Sequence, residues 1–307
     1  MPLHLQTPLW LSTPLSRLTG AKVWLKMDAL QPSGSFKLRG IGRICETLVT
    51  SGVDHLVSSS GGNAGMAVAY AGQQLRVKVT VVVPSTTPPF MVDKIELLGA
   101  SVLVQGDVWD EADAHARSLA APDNCGYVSP FNHPEIWAGH STLIDELAAE
   151  MEPPDLIVLA VGGGGLLCGV AEGLHRIGWK RVPVLAVETE GTASFAAAVA
   201  AGKPVTLPKI TSVASSLGAK RVSFQAFEWT KKHSIHSHTV TDRAALEACR
   251  RFLDDHRVLV EPACGAALAA LYDMAPPATT AQSVVAIVCG GAVVSFDQLH
   301  HWLQAAE

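Results

Sequence analysis

Residues 156–177 read LIVLAVGGGGLLCGVAEGLHRI. Residues 156–161 form a short, continuous apolar run rich in β-branched side chains, the pattern of a strand buried on both faces. Gly162, Gly163, Gly164 and Gly165 follow, and residues 166–177 read as a helix. Strand, glycine turn and helix in succession form the repeating unit of a parallel sheet layered between helices. The alternation recurs along the chain. Strands are expected at 22–27, 55–58, 77–83, 101–104, 156–161, 184–187 and 283–288. Helices are expected from about 36, then over 63–75, 88–98, 108–119, 134–150 and 166–177, with a last one after Gly291. Two strand clusters, about 55–104 and 155–288, imply two layered α/β domains.

Composition narrows the classes. The chain has 307 residues, 48% of them hydrophobic and 17% charged, with a net charge of −5. That length buries enough apolar surface to need no disulfide or metal staple. So low a charged fraction argues against disorder. With 28 acidic against 23 basic residues and no Lys/Arg run, the basic footprint of a nucleic-acid-binding protein is missing. The N-terminus, MPLHLQTPLWLS, has no basic region before its apolar residues and is broken by prolines, unlike a signal peptide. The longest uncharged apolar stretch, 156–171, falls short of the ~18–20 residues of a membrane helix. Six cysteines, at 45, 125, 168, 249, 264 and 289, form no CxxC pair. Free thiols in a reducing compartment, and so a cytoplasmic protein with no membrane partner, are expected.

In layered α/β folds ligands bind beyond the carboxyl ends of strands, which directs attention to the strand-to-helix turns. Four carry chemistry. Gly162–Gly165 with Leu166 let backbone N–H groups converge on a phosphate at a helix N-terminus; a flexible, tightly packed turn is the plainer reading. The spacing is neither GxGxxG nor a P-loop. Ser33-Gly34-Ser35-Phe36-Lys37 places a lysine in the first turn of a helix. The positive end of the helix dipole disfavours an ammonium there, which suits a Schiff-base amine, although most lysines are solvated surface residues. Ser58 to Met66 offers hydroxyls and backbone N–H groups without bulk, as a carboxylate cradle requires, or as a capped helix start does. Cys289 ends a strand and precedes Gly290 and Gly291. A buried cysteine is usually a small hydrophobe, but two glycines after it admit a close ligand.

Together these segments resemble the pyridoxal-phosphate enzymes of fold type II, and most nearly the L-serine/L-threonine dehydratases of the liver serine dehydratase and serine dehydratase-like type. The resemblance is carried by PSGSFKLRG (32–40), SSGGNAGMA (59–67), VVVPSTTP (81–88), FNHPEIWAGH (131–140) and VGGGGLLCGV (161–170). It continues through VETEGTASF (187–195), LPKITSVASSLGA (207–219), VEPACGAALAA (260–270) and AIVCGG (286–291). The motifs occur in family order over nearly the whole chain.

The resemblance implies a tryptophan synthase β-like fold of two doubly wound α/β domains, with the site in the cleft between them. Residues 1–28 and 135–307 would form a large cofactor-binding domain and 29–134 a small one. Lys37 would hold pyridoxal 5'-phosphate covalently and then shuttle the Cα proton, with Phe36 against the pyridine ring. Ser60, Gly61, Gly62, Asn63 and Ala64 would receive the substrate carboxylate, Asn63 also bonding the cofactor's phenolic oxygen. Gly162, Gly163, Gly164, Gly165 and Leu166 would cradle the phosphate, and Cys289 would face the pyridine nitrogen. Glu188, Thr192 and Ser194, with backbone near Leu217 and Ala219, match the region where the family binds a monovalent cation, K+ being the candidate. The assembly implied is a homodimer.

The activity implied is α,β-elimination. The cofactor acts as electron sink for Cα deprotonation, its phosphate is the expected acid for the departing hydroxyl, and serine yields pyruvate and ammonia. Threonine would yield 2-oxobutyrate. Two positions depart from the wider pattern. Serine racemases of this fold have a serine at the position of Gly61, so net racemisation is not expected; liver serine dehydratase has alanine there and the dehydratase-like form glycine. Ser216 stands where a small apolar residue is expected. Isoleucine-type feedback is not expected, since no regulatory domain follows residue 307. The rival readings are a β-replacement enzyme of the cysteine synthase type, which usually has serine at the Cys289 position, and a non-catalytic regulatory protein on the same fold. A zinc site at His233, His236 and His238 lacks a matching Cys/His pair, and structural zinc needs about four ligands.

Overall fold

The computed structural model describes residues 2–305. The chain opens with β1 (Leu9–Leu11), α1 (Thr13–Thr19) and β2 (Lys22–Lys26). Then come α2 (Lys37–Thr50), β3 (His55–Ser58), α3 (Asn63–Leu75), β4 (Lys78–Val83), α4 (Pro89–Leu97), β5 (Ser101–Val104), α5 (Trp109–Leu119) and β6 (Cys125–Val128). Helix α6 (Pro134–Glu150) leads to β7 (Leu156–Ala160), α7 (Gly165–Arg176), β8 (Val184–Thr189), α8 (Ser194–Ala201) and α9 (Phe224–Trp229). The chain continues with β9 (Ile235–Val240), α10 (Asp242–His256), α11 (Pro262–Tyr272), β10 (Ser283–Ile287) and α12 (Phe296–Ala305). Two compact units result, one of residues 2–5 and 31–140, the other of 6–30 and 141–305.

The first unit is built on a four-stranded sheet in the order β5-β4-β3-β6, with every pair parallel. Alternation along β3 and β4 sends side chains to both faces. Leu56, Val79, Val81 and Val83 join Ile41, Ile44, Val68 and Ile95 in one buried layer, while Val57 and Val82 meet Ala112 and Ala116 of α5 in another. Helix α3 approaches the sheet closely because Gly72 has no side chain; a Cβ there would lie 2.1 Å from Val79 Cγ2.

The second unit holds a six-stranded sheet in the order β1-β2-β10-β7-β8-β9. All pairs are parallel except β1 with β2. Every residue of β7 and β8 is buried, as their apolar runs require of central strands. Burying each Val, Leu or Ile side chain contributes about 1.5–3 kcal/mol. The ammonium of Lys26 is fully buried in β2, and it is satisfied there by Glu146 at 2.7 Å and the Thr7 carbonyl at 2.6 Å. A buried ion needs such partners, because an unpaired one would be strongly destabilising.

All seven expected strands are present, and the ends of the elements move by one or two residues, as helix and strand ends commonly do. Strands β1, β6 and β9 and helices α1 and α8 to α11 join them. His236 and His238 lie within β9. His233 is engaged elsewhere, with Nε2 at 2.8 Å from the Val182 carbonyl and Nδ1 at 3.3 Å from His175. Among the described residues no group of three His, Cys, Asp or Glu side chains is placed to hold a metal, and no helix is long and apolar enough to cross a membrane.

Candidate active site

In the first unit, Lys37 is the first residue of α2. Gly34 makes the preceding turn at φ +77°, and the Gly34 N–H donates to the Gln31 carbonyl at 2.7 Å. Phe36 caps the helix without a side-chain hydrogen bond. The Lys37 Nζ donates to the carbonyl of Pro130 at 2.6 Å and stands 5.3 Å from the Phe36 ring centroid. That ring also tilts against His140, with centroids 4.8 Å apart. Burial, together with the charges of Lys37, Arg39 and His4, holds the His140 imidazole well below its usual value, so it is neutral. Ser33 and Ser35 are buried, and their hydroxyls have no hydrogen-bond partner among the described residues.

The turn after β3 is made of small side chains. The Gly62 N–H donates to Ser60 Oγ at 3.3 Å, and the Gly62 carbonyl accepts from Met66 in the first turn of α3. Asn63 and Ala64 are buried where α3 begins. Gly65 must be glycine, because a Cβ there would sit 1.8 Å from the Ser60 carbonyl oxygen. Gly61 faces Thr87, whose Cγ2 would be 2.6 Å from an added Cβ. Lys37, Phe36 and Ser60 to Ala64 therefore belong to one unit.

In the second unit, β7 ends at Ala160 and α7 begins at Gly165. Between them Gly164 caps the helix in the left-handed region at φ +90° and brings no side chain to its N–H groups. A Cβ on Gly164 would meet Ala226 Cβ at 2.4 Å, and one on Gly162 would meet Leu217 Cα at 3.0 Å. The Gly163 carbonyl accepts from the Ser223 N–H at 3.1 Å, which pins the turn from outside. The first N–H groups of any helix lack intrahelical partners, and the glycine cap supplies no side chain to satisfy them, so the turn can receive an anion. Ser216 is exposed and meets Gly162 through its carbonyl.

Cys289 follows β10 and is buried. A hydrogen bond with Cys264, then burial, pushes its thiol well above the usual value, so it is neutral. Gly291 lies close to the Leu259 carbonyl, 2.6 Å from where its Cβ would be.

At the end of β8 the Glu188 carboxylate is buried and accepts the N–H groups of Phe195 and Ala196, both at 2.8 Å. Burial raises it to about 7 despite those bonds. Thr192 Oγ1 lies 2.8 Å from Thr189 Oγ1, which donates to Ser212 Oγ at 2.7 Å. Ser212 lies on the loop that leads to Leu217 and Ala219. The buried Ser194 hydroxyl has no hydrogen-bond partner among the described residues.

Three contacts of the site cannot be read from the sequence. The Pro130 carbonyl that receives Lys37 is backbone. Thr87 meets Gly61 across a gap in sequence. Ser59 donates to Asp113, on a helix not otherwise implicated.

Comparison with known proteins agrees with this geometry. The family model described as pyridoxal-phosphate dependent enzyme matches residues 1–290. Human L-serine dehydratase/L-threonine deaminase is 50% identical over 309 residues, covering 97% of this chain and 94% of that protein. Human serine dehydratase-like is 51% identical over 301 residues, with 94% and 91% covered. The crystal structure of a fungal L-serine ammonia-lyase from Rhizomucor miehei superposes with a TM-score of 0.93 at 39% identity, covering 99% of each chain. With a family model spanning nearly its full length and relatives at half identity, the chain belongs to the pyridoxal-phosphate dependent enzymes, in their fold type II.

Proposed function

We propose that the chain is an L-serine dehydratase that also accepts L-threonine, releasing pyruvate or 2-oxobutyrate together with ammonia. The observation that carries this reading is Lys37, an amine on the first turn of α2 aimed by the Pro130 carbonyl, in the same unit as the small-residue loop 60–64. The named activities of the relatives support the substrate class.

The residues present fit pyridoxal phosphate. The glycine turn ahead of α7 is packed from outside, and its cap residue makes no side-chain hydrogen bond to the N–H groups. The buried hydroxyls of Ser33 and Ser35, beside Lys37 in sequence, lack partners among the described residues. When bound, the cofactor supplies the electron sink that makes the substrate Cα proton acidic.

In this reading Lys37 holds the cofactor through its amine and afterwards takes the Cα proton at Nζ. Gly162 to Gly165 and Leu166 hold the phosphate by backbone N–H groups at the positive end of α7. Phe36 would pack on the ring, Asn63 would donate to the phenolic oxygen, and the neutral Cys289 thiol would face the pyridine nitrogen. Ser60, Gly61, Gly62, Asn63 and Ala64 bind the substrate carboxylate and so turn the Cα–H bond toward Lys37. The Cα proton and the β-hydroxyl leave as water, the enamine so formed takes a proton at Cβ to become an imine, and hydrolysis of the imine gives the 2-oxoacid and ammonia. A monovalent cation, K+ first, belongs to the same reading. The buried carboxylate of Glu188 and hydroxyls of Thr192 and Ser194, with carbonyls near Leu217 and Ala219, are oxygen donors suited to it. A homodimer in the cytoplasm completes the proposal.

The test is the absorbance spectrum of the purified protein, followed by 2-oxoacid release from L-serine, L-threonine and D-serine, with and without sulfide. A lysine-linked cofactor band with pyruvate from L-serine supports the reading. No release from any of the three removes it, and consumption of serine with sulfide in place of pyruvate assigns β-replacement.

A further inference from the structure

The face of the first unit's sheet that α5 covers is apolar along most of its length, with Val57, Val82, Ala112 and Ala116 buried there. One polar cluster interrupts it. Ser59 Oγ donates to Asp113 Oδ1 at 2.6 Å, and the Tyr127 hydroxyl donates to the same oxygen. Arg117 Nε donates to Asp113 Oδ2 at 2.7 Å, and its guanidinium lies 4.1 Å over the Tyr127 ring. The Ser59 and Tyr127 oxygens are themselves 3.2 Å apart. Burial works against the Asp113 carboxylate, but the three donors outweigh it and hold Asp113 below its usual value.

Apolar pairs could pack α5 on this sheet without the desolvation that a carboxylate incurs. What a satisfied, partly buried network adds is a single arrangement of the elements that carry it. Here those elements are α5 and the carboxyl ends of β3 and β6, where Ser58 pairs with Val128 and Val57 with Tyr127. Ser59 is fully buried and is the last residue before the small-residue loop. On the other side of that loop, the Ser60 carbonyl is pressed against Gly65 of α3. The loop is therefore fastened at its root by Asp113 and at its exit by α3, and Ser60 to Ala64 lie between.

We propose that Asp113, with Tyr127, is a positioning residue for substrate carboxylate binding. It holds the Ser59 hydroxyl and so sets the direction in which Ser60 to Ala64 present their donors. The inference rests on the reading of 60–64 as the carboxylate loop. Asp113 and Tyr127 act through Ser59 and do not touch the substrate.

The experiment uses the holoenzyme and its Ser59→Ala, Asp113→Asn and doubly substituted forms. L-Serine kinetics are measured with equilibrium binding of glycine, an amino acid with no β-hydroxyl to lose, followed by the change in cofactor absorbance. Each single substitution should raise the glycine Kd and the serine KM about tenfold, the effect of losing one well-made hydrogen bond to a charged group. The cofactor band of the free enzyme should be unchanged, and kcat should stay within about threefold. The double variant should be no worse than the weaker single one, since both remove the same link. Unchanged KM and Kd, a fall confined to kcat, or effects that multiply would overturn the proposal. If Ser59→Ala does not keep the native cofactor band, Tyr127→Phe, which retains the ring beneath Arg117, is read by the same criteria. A wild-type protein that binds glycine but releases no pyruvate ends the dehydratase reading alone, because the glycine measurement still tests the positioning role.

Discussion

Lys37 Nζ donates to the Pro130 carbonyl at 2.6 Å, a bond that joins the first turn of α2 to a segment 93 residues further along the chain. The carbonyl cannot take a proton at neutral pH, so it steers the amine without competing as a base. Lys37→Arg retains a cation able to reach the same carbonyl, yet it cannot form the covalent link or accept the Cα proton. Both Lys37→Arg and Lys37→Ala should lose at least about a thousandfold in kcat/KM with unaltered circular dichroism. Substantial activity in the arginine form would remove the lysine from the chemistry.

His140 is fully buried, both ring nitrogens lack a hydrogen-bond partner among the described residues, and its ring packs against Phe36. Burial and the charges of Lys37, Arg39 and His4 keep it neutral well below the usual 6.5. In the unfolded chain the imidazole takes up a proton near 6.5, which the folded protein does not. Stability should therefore be full above about pH 6.5 and decline as pH falls below it. His140→Gln removes the titrating group. Its unfolding midpoint in urea should change less than that of the wild type between pH 7 and pH 5.5, and parallel curves would show that His140 is not responsible.

Gly164 carries two constraints at once, a left-handed φ of +90° and the nearby Ala226 Cβ. Gly178 has φ +89° with nothing within 4 Å of its added Cβ, so it carries only the first. Gly178→Ala should cost about 1–2 kcal/mol from backbone strain. Gly164→Ala should cost about 1–3 kcal/mol more, from overpacking against α9. It should also release pyridoxal phosphate on gel filtration, while Gly178→Ala retains it. Equal losses of stability and equal cofactor content would mean that the turn's shape does not matter for phosphate binding.

The strand-turn-helix from β7 to α7 was legible because a fully apolar run, four glycines and a periodic helix leave one interpretation of the sequence. The second half of that unit was less so. Helix α11, PACGAALAALY, is buried on every side and has no polar face to reveal a helical period. Strand β9, IHSHTV, sits at the sheet edge and mixes polar with apolar residues, so its sequence carries no clear strand signal. The candidate site divides in the same way. Lys37, Gly162 to Gly165 and Cys289 stand out because they lie at turns next to glycines. Asp113 and Tyr127 reach Ser59 only through packing, and nothing in WDEADAHARSL distinguishes Asp113 from the other acids on its helix.

The Cys289 thiol is neutral, held up by its hydrogen bond with Cys264 and by burial. A thiol is a weak hydrogen-bond partner, whereas a carboxylate at this position keeps the pyridine nitrogen protonated and the ring strongly electron-withdrawing. If Cys289 faces the pyridine nitrogen as proposed, the less demanding sink would favour prompt loss of the β-hydroxyl over the accumulation of negative charge at Cα. Cys289→Asp should therefore raise solvent exchange of the Cα proton relative to pyruvate release, and Cys289→Ser should leave that ratio near the wild-type value. Proton NMR of L-serine in deuterated buffer gives the exchange, and a coupled assay gives the pyruvate. The cofactor band of each variant is recorded first, so that a loss of cofactor is not mistaken for a change in partition. An unchanged ratio in the aspartate form would mean that residue 289 does not set the outcome of the reaction.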